Sequence, residues 1–225
     1  MTRLTSGLAA LVASVAVLTG CAAPAAEQPA ASQSVPAGDG PLVAFYGDSY
    51  TLGTGASDPS LRWSTIISEE RGWREYNPSV NGLGFVNHRT SFEGGDLPGL
   101  VVAADPDIVV VTMGLNDSFS YDARADEIHD QIGADLDRIA GALPDARLVV
   151  VEPFWYTDER PESVDVIAGW VHDAALDVGA DWVPGASRWL EGHPEWMAAD
   201  GLHPNDDGYA EMARRMDAEL TTLGL

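Results

Sequence analysis

A serine, an aspartate and a histidine in this chain have the types and spacing that nucleophilic hydrolysis requires. Ser49 lies in the motif Gly-Asp-Ser-Tyr, and Asp200 and His203 lie three residues apart in the motif Asp-Gly-Leu-His-Pro. A serine nucleophile needs a base within hydrogen-bond reach, and that base needs an acceptor to orient it. One tight turn carrying Asp200 and His203 could supply both. A serine that only caps a helix and a histidine that only lies at the surface would be compatible with the same sequence.

Two further motifs could stabilise the negative charge that forms on an attacked carbonyl oxygen. Asn116, in the motif Gly-Leu-Asn-Asp, carries an amide that can donate a hydrogen bond to an oxyanion. Gly82 ends the motif Asn-Pro-Ser-Val-Asn-Gly, where the absence of a side chain would let a backbone N–H approach the same oxygen. Glycine and asparagine are also common in ordinary turns, so neither motif is specific by itself.

Each motif adjoins a segment whose residue pattern predicts regular structure. Short apolar or β-branched runs predict five strands, at 42–46, 76–80, 108–113, 148–151 and 182–183. Apolar residues three or four apart predict four helices, at 62–70, 123–143, 161–178 and 205–220. Alternating strands and helices predict an α/β fold with a parallel sheet covered on both faces. In such a sheet the site forms at the carboxyl ends of the strands, near a topological switch point.

Taken together, the four motifs resemble those of the SGNH hydrolases, the GDSL-like esterases and lipases. The resemblance runs from residue 42 to the C-terminal helix, which is essentially the whole folded domain. It implies a three-layer α/β/α sandwich, flavodoxin-like, with about five parallel strands.

The resemblance also implies a role for each motif. The catalytic residues would be Ser49 as the nucleophile, His203 as the general base and Asp200 as its orienting carboxylate. The oxyanion donors would be the N–H of Ser49, the N–H of Gly82 and the side-chain amide of Asn116.

Some details of the motifs bear on these assignments. The first motif ends in Tyr50 where the namesake motif has leucine, a position that is not catalytic. Gly84 could supply the backbone donor instead of Gly82, but Gly82 follows Asn77 by five residues, which is the family spacing. The aspartates beside the catalytic positions, at 48 and 117, are expected to stabilise loops through hydrogen bonds.

The implied reaction is hydrolysis of a carboxylic ester through an acyl-enzyme, with no metal or organic cofactor. Short-chain acyl esters and acetylated glycan or lipid esters are the expected substrates. A lipid-anchored acyltransferase of the same fold and a non-catalytic SGNH-fold binding lipoprotein are the alternatives. A flavodoxin-type FMN carrier is disfavoured, because Asp48 would place a negative charge where the phosphate binds. Loops 85–99 and 154–161 should set specificity, and Trp155, Tyr156 and Trp196 either line the acyl pocket or belong to the core or its rim.

Composition and charge exclude other classes of protein. The chain has 225 residues, with 35 acidic residues against 12 basic ones, all of them arginine, and a formal net charge of −23. Such a surface repels phosphate backbones, so no nucleic-acid partner is expected. The only cysteine, Cys21, excludes an intramolecular disulfide and a cysteine-based metal site. The sequence leaves the oligomeric state open.

The N-terminal segment has the pattern of an export signal. Arg3 precedes an apolar run at 8–18, and the run ends in Leu-Thr-Gly-Cys, which resembles the bacterial lipobox. This predicts a signal peptide at 1–20, a lipid on Cys21, a flexible tether at 21–40 and the hydrolase domain at 41–225. The protein would then be exported and anchored by that lipid alone to the outer face of the bacterial cell membrane. An ordinary secretory signal with an incidental cysteine is the alternative.

Overall fold

A single parallel sheet forms the centre of the protein. The structure, a computed structural model, describes residues 34–92 and 95–225. Its sheet has the strand order β2-β1-β3-β4-β5. The strands are β1 (Leu42–Tyr46), β2 (Arg74–Tyr76), β3 (Ile108–Val111), β4 (Arg147–Val151) and β5 (Asp181–Val183), and all neighbouring pairs are parallel. The expected signal peptide, Cys21 and most of the tether lie outside the described residues.

In the part of the chain that the structure describes, six α-helices cover the two faces of this sheet. They are α1 (Ser49–Leu52), α2 (Trp63–Arg71), α3 (Leu97–Ala104), α4 (Tyr121–Ala142), α5 (Glu162–Asp177) and α6 (Asp206–Thr222). Alternate residues of β1 point to opposite faces. Ala44 and Tyr46 pack in the core under α3, α4 and α5, whereas Val43 and Phe45 pack in the core under α2 and α6. The predicted three-layer sandwich with five parallel strands is therefore confirmed.

The central strands explain why the sequence pattern was informative. Every residue of β1 and β3 is buried. A parallel strand covered on both faces must be apolar throughout, which produces the short continuous apolar runs seen at these positions. No described helix has the length and hydropathy needed to cross a bilayer.

Strand β3 ends at Val111, two residues before its expected end, and two other elements differ more from the sequence-based expectation. The second strand was expected at 76–80 but lies at Arg74–Tyr76, because residues 77–79 are buried without pairing in the sheet and Pro78 has no N–H to donate. Helix α3 was not expected, and its first turn lies within the segment 85–99 that was expected to be a loop. Proline is nevertheless well suited to the first turn of a helix, where its missing N–H has no intrahelical partner.

The strand order creates one crevice at the carboxyl edge of the sheet. The chain passes from β1 outward to β2 and then crosses to β3 on the other side of β1. Connections that leave in opposite directions open a crevice between β1 and β3, which is where ligands bind in open α/β sheets. Ser49 follows β1 and Asn116 follows β3, so the fold brings these two residues to that crevice.

Candidate active site

Ser49 opens a one-turn helix directly after β1 and is 5% exposed. Gly47 joins the strand to this helix, and a Cβ there would come within 2.4 Å of Thr112 Oγ1, so the sharp turn requires glycine. Asp48 caps the helix by accepting a hydrogen bond of 3.0 Å from the N–H of Tyr50. The N–H of Ser49 bonds no acceptor in the described part of the chain, and it is therefore available to a ligand.

Asn116 lies on the opposite wall of the crevice, at the start of a 3₁₀ turn after β3. Its Nδ2 donates a hydrogen bond of 2.9 Å to Leu83 O and a longer one of 3.2 Å to Asp48 Oδ2. The Leu83 bond fixes the plane of the amide. The Asp48 bond is the weaker by length, so it is the one that an incoming oxyanion could replace. Sequence reasoning placed Asp48 in loop stabilisation and missed this direct contact with Asn116.

The two glycines considered as backbone donors differ in their hydrogen bonding. The N–H of Gly84 donates to Asn87 O at 2.9 Å, whereas the N–H of Gly82 meets no acceptor among the described residues. Gly82 also adopts a φ of 70°, a left-handed conformation that favours glycine. Of the two, Gly82 is the one with a donor available, as the spacing from Asn77 suggested.

Asp117 holds the segment around these glycines. Its carboxylate is fully buried and accepts hydrogen bonds from the N–H groups of Phe85, Val86 and Asn87 at 2.7 to 3.0 Å. A Cβ on Gly84 would come within 2.5 Å of that carboxylate. Asp117 therefore joins the loop after β2 to the loop after β3, as expected for a residue that stabilises loops.

The buried carboxyl groups of Asp48 and Asp117 lie close enough for their charges to interact. Burial raises the pKa of Asp48 to about 7, against the opposing hydrogen bond from Tyr50 N–H, and the charge of Asp117 adds to the rise. Burial likewise raises the pKa of Asp117, although its three backbone donors counteract this. Near neutral pH a substantial fraction of Asp48 is uncharged, which limits the negative charge next to Asn116.

Asp200 and His203 form an oriented pair on the turn before α6. His203 Nδ1 lies 2.7 Å from Asp200 Oδ2, while Asp200 Oδ1 accepts from the N–H groups of Leu202 and His203 at 2.9 and 3.0 Å. Burial alone would raise the pKa of Asp200, but the hydrogen bonds from the His203 side chain and from both backbone groups lower it to about 2. A carboxylate at Nδ1 requires a proton on that nitrogen, which leaves Nε2 unprotonated in the neutral ring.

The structure brings the histidine turn against the nucleophile helix. The hydroxyl of Tyr50 donates a hydrogen bond of 2.6 Å to Leu202 O, and the Tyr50 ring lies 6.1 Å from the imidazole of His203. Ser49 and His203 do not form a direct hydrogen bond. Catalytic hydrogen bonds of this kind often tighten only when substrate binds.

A cavity of about 590 Å³ lies beside the turn that carries Asn116. Trp155 and Tyr156 line it, while Trp155 is also buried in the core, and Trp196 stacks on His193 elsewhere. None of the residues assigned to the catalytic site lines this cavity. Phe119 was missed, although it lies three residues after Asn116. Its side chain is 57% exposed in this cavity, with ring centroids 6.1 Å from Trp155 and 6.4 Å from Tyr156.

Within residues 34–92 and 95–225, no group of three or more histidine, cysteine, aspartate or glutamate side chains is arranged to hold a metal ion. The crevice combines a serine hydroxyl, an oriented imidazole and three hydrogen-bond donors.

Comparison with known proteins identifies the family of the chain. The model of the GDSL-like lipase/acylhydrolase family matches residues 45–211, a range that contains all five residues assigned to the site. The GDSL lipase Rv0518 of Mycobacterium tuberculosis is 29% identical over 193 residues, which cover 81% of this chain and 82% of that protein.

Solved structures show the same fold. The crystal structure of TesA is similar with a TM-score of 0.67 at 19% identity, covering 81% of this chain and 99% of its own. The psychrotrophic esterase EstA from Pseudoalteromonas sp., in a structure inhibited by monoethylphosphonate, gives a TM-score of 0.62 at 15% identity, with 81% and 97% covered.

Proposed function

The chain belongs to the GDSL-like lipase/acylhydrolase family of ester hydrolases, and on that basis we propose that it is a serine esterase acting through an acyl-enzyme on Ser49. The observation that carries this proposal is the hydrogen bond of 2.7 Å between His203 Nδ1 and Asp200 Oδ2. It sets the imidazole in the tautomer that a general base needs, on a turn that contacts the helix of Ser49.

The reaction proceeds in two halves, acylation of Ser49 and hydrolysis of the acyl-enzyme. In the first, Ser49 Oγ attacks the ester carbonyl carbon as its proton moves to His203 Nε2. The tetrahedral intermediate then collapses, and the alcohol leaves with that proton, which forms the acyl-enzyme. In the second half, water loses a proton to His203 as it attacks the acyl group. The acid is released, and the proton returns to Ser49 Oγ.

The charge that forms on the carbonyl oxygen is met by three donors. The N–H groups of Ser49 and Gly82 bond no acceptor in the described chain, and the Asn116 amide can exchange its bond with Asp48 for one with the oxyanion. Donors that are already in place require little rearrangement when the charge forms, which is the main source of rate acceleration in such sites.

We propose the cavity that begins at Ser118, two residues after Asn116, as the acyl site, and its lining supports uncharged esters as substrates. Its wall of aromatic rings is bordered by the carboxylates of Asp122, Glu159 and Glu162. Acidic side chains disfavour an anionic substrate, and the aromatic rings favour apolar acyl groups or the faces of sugar rings. We therefore propose short-chain acyl esters or acetylated glycan or lipid esters. A panel of chromogenic esters of increasing chain length, run beside acetylated sugars, separates these classes.

Ser49→Ala tests the covalent step. The variant should fold, since Ser49 contributes its side chain to no hydrogen bond in the described structure, and it should lose ester hydrolysis and covalent labelling by a phosphonate. Ser57→Ala, on the same segment but exposed, is the matched control and should keep both. Labelling of another serine in the unchanged protein would overturn the assignment. Product analysis with added alcohols distinguishes hydrolysis from acyl transfer.

We further propose that Cys21 carries a lipid after cleavage of residues 1–20 and that residues 21–40 tether the hydrolase domain to the outer face of the cell membrane. The support is the Leu-Thr-Gly-Cys sequence before the only cysteine. Mass spectrometry of protein from a bacterial host that processes lipoproteins should show the diacylglycerol on Cys21 and its loss in Cys21→Ser. A mature N-terminus elsewhere would overturn this.

A further inference from the structure

The residue after the nucleophile joins the two catalytic segments. Tyr50 is fully buried, and its hydroxyl donates a hydrogen bond of 2.6 Å to Leu202 O, immediately before His203. Building on the proposed serine mechanism, we propose that Tyr50 is a positioning residue that holds the His203 turn against Ser49, so that the imidazole stays within reach of the nucleophile.

The ring of Tyr50 has little freedom to turn away. It stacks on Phe154 with centroids 5.7 Å apart and an angle of 18° between the planes. Trp63 packs edge-on against Phe154 at 6.0 Å and donates its Nε1–H to the carbonyl oxygen of Tyr50 at 3.0 Å. Ring and backbone are thus both restrained, and the phenol is fixed in the direction of Leu202. Burial raises the pKa of Tyr50 well above its ordinary value, so the hydroxyl remains a donor over the working pH range.

Gly55, on the segment of Ser49, packs closely against Ala198, His203 and Pro204, but the other hydrogen bonds of the histidine turn do not reach that segment. The two bonds from Leu202 and His203 N–H to Asp200 act within the turn and give it its shape. The bond of 2.8 Å from Ala198 N–H to His203 O joins the turn only to the preceding segment. Among the described residues, the bond from the Tyr50 hydroxyl to Leu202 O is the one hydrogen bond that connects residues 198–204 with residues 48–55.

A second tyrosine makes a similar connection farther from the chemistry. Tyr209 is also fully buried, and its hydroxyl donates to Thr54 O at 2.7 Å. It joins α6 to the segment after α1, so it connects the same two parts of the chain without touching the turn of His203. Tyr209 is therefore a matched control: the same group is removed from a comparable bond, but the position of the imidazole should not change.

The leucine of the namesake motif could pack on Phe154 in the place of Tyr50, but it could not donate the hydrogen bond. This chain therefore has an additional restraint on its base at a position that the motif treats as apolar. A restraint of this kind acts on the proton transfer and does not contact the ester. Its loss should lower kcat and leave KM for a small ester nearly unchanged.

The test compares Tyr50→Phe with Tyr209→Phe in the same protein. Because small displacements of a catalytic group are costly, we expect Tyr50→Phe to lower kcat by about 10-fold or more, with KM unchanged. The rate of phosphonate labelling of Ser49 should fall in parallel. Tyr209→Phe should lower the melting temperature by a similar amount and keep kcat and the labelling rate. Phe154→Leu, which removes the ring on which Tyr50 stacks, should also lower kcat. It replaces Tyr50→Phe in the test if that variant does not fold.

Two results would overturn the proposal. If both tyrosine variants lose stability alike and keep kcat, Tyr50 has only a structural role. If Tyr50→Phe raises KM with kcat unchanged, it acts in substrate binding. A protein that hydrolyses no ester would refute the proposed function instead. The positioning role is then decided by NMR of the His203 Nδ1–H resonance, which should broaden in Tyr50→Phe and not in Tyr209→Phe; equal signals would refute it.

Discussion

The two sides of the catalytic crevice are constructed very differently. On the oxyanion side, formed by Asp48, Gly82, Asn116 and Asp117, the three polar side chains are at most 7% exposed and each makes buried hydrogen bonds. On the base side, formed by Asp200 and His203, the side chains are 49% and 13% exposed. The base side is a surface turn whose polar contacts are mostly internal to it.

This difference matches what each side must do. An oxyanion exists only in the transition state, so its donors must be in place beforehand and shielded from water. A general base must take up and release a proton in every cycle, and partial exposure of its turn is compatible with that exchange. The comparison predicts that a substitution on the base side lowers kcat alone, whereas a substitution on the oxyanion side can lower both kcat and the stability of the fold.

The largest effect is expected from Asp200→Asn. By analogy with removal of the orienting carboxylate in a serine protease triad, kcat should fall by about 10³–10⁴. The measurement is kcat against pH, beside a thermal melt.

The thermal melt of Asp200→Asn tests the comparison between the base side and the oxyanion side. Asp200 is half exposed, so its replacement by asparagine should move the melting temperature little. In the unchanged protein the rate should rise as pH increases through the range in which an imidazole loses its proton. A rate independent of pH in that range would contradict the assignment of His203 as the base.

Asn116→Ala is expected to have the next largest effect. Loss of one oxyanion donor lowers kcat by about 10²–10³, and KM should change far less because the amide meets a charged oxygen only in the transition state. The same change leaves buried Leu83 O without its donor, so the melting temperature should also fall. Steady-state kinetics and a thermal melt on both proteins measure the two effects. A folded variant with unchanged kcat would show that Asn116 is only a turn residue.

The predictability of this site follows the same division. Strand β1 was predicted at its observed bounds, because a strand buried on both faces must be apolar throughout. The pair Asp200 and His203 was identifiable because its members are three residues apart on one turn. The contact of Asp48 with Asn116 spans 68 residues, and the bond of Tyr50 with Leu202 spans 152. No local pattern encodes such contacts, since they depend on how loops after different strands meet in the folded chain.

Asp48→Asn should have the smallest effect on the rate, and it tests the burial of the oxyanion side directly. Asparagine can still cap α1 by accepting from Tyr50 N–H, so the fold should be retained. In the unchanged protein the folded-state pKa of Asp48 is raised to about 7, so the favourable contribution of the protonated acid is fully present below the pKa of the unfolded chain, about 3.9. That contribution is lost as pH rises toward 7. Relative to Asp48→Asn, the unchanged protein should lose about 4 kcal/mol of unfolding free energy between pH 4 and pH 7, and no more above it. Urea unfolding of both proteins across this range measures the difference. A constant offset would mean that Asp48 ionises as it does in water, and the oxyanion side would then be no better shielded than the turn of His203.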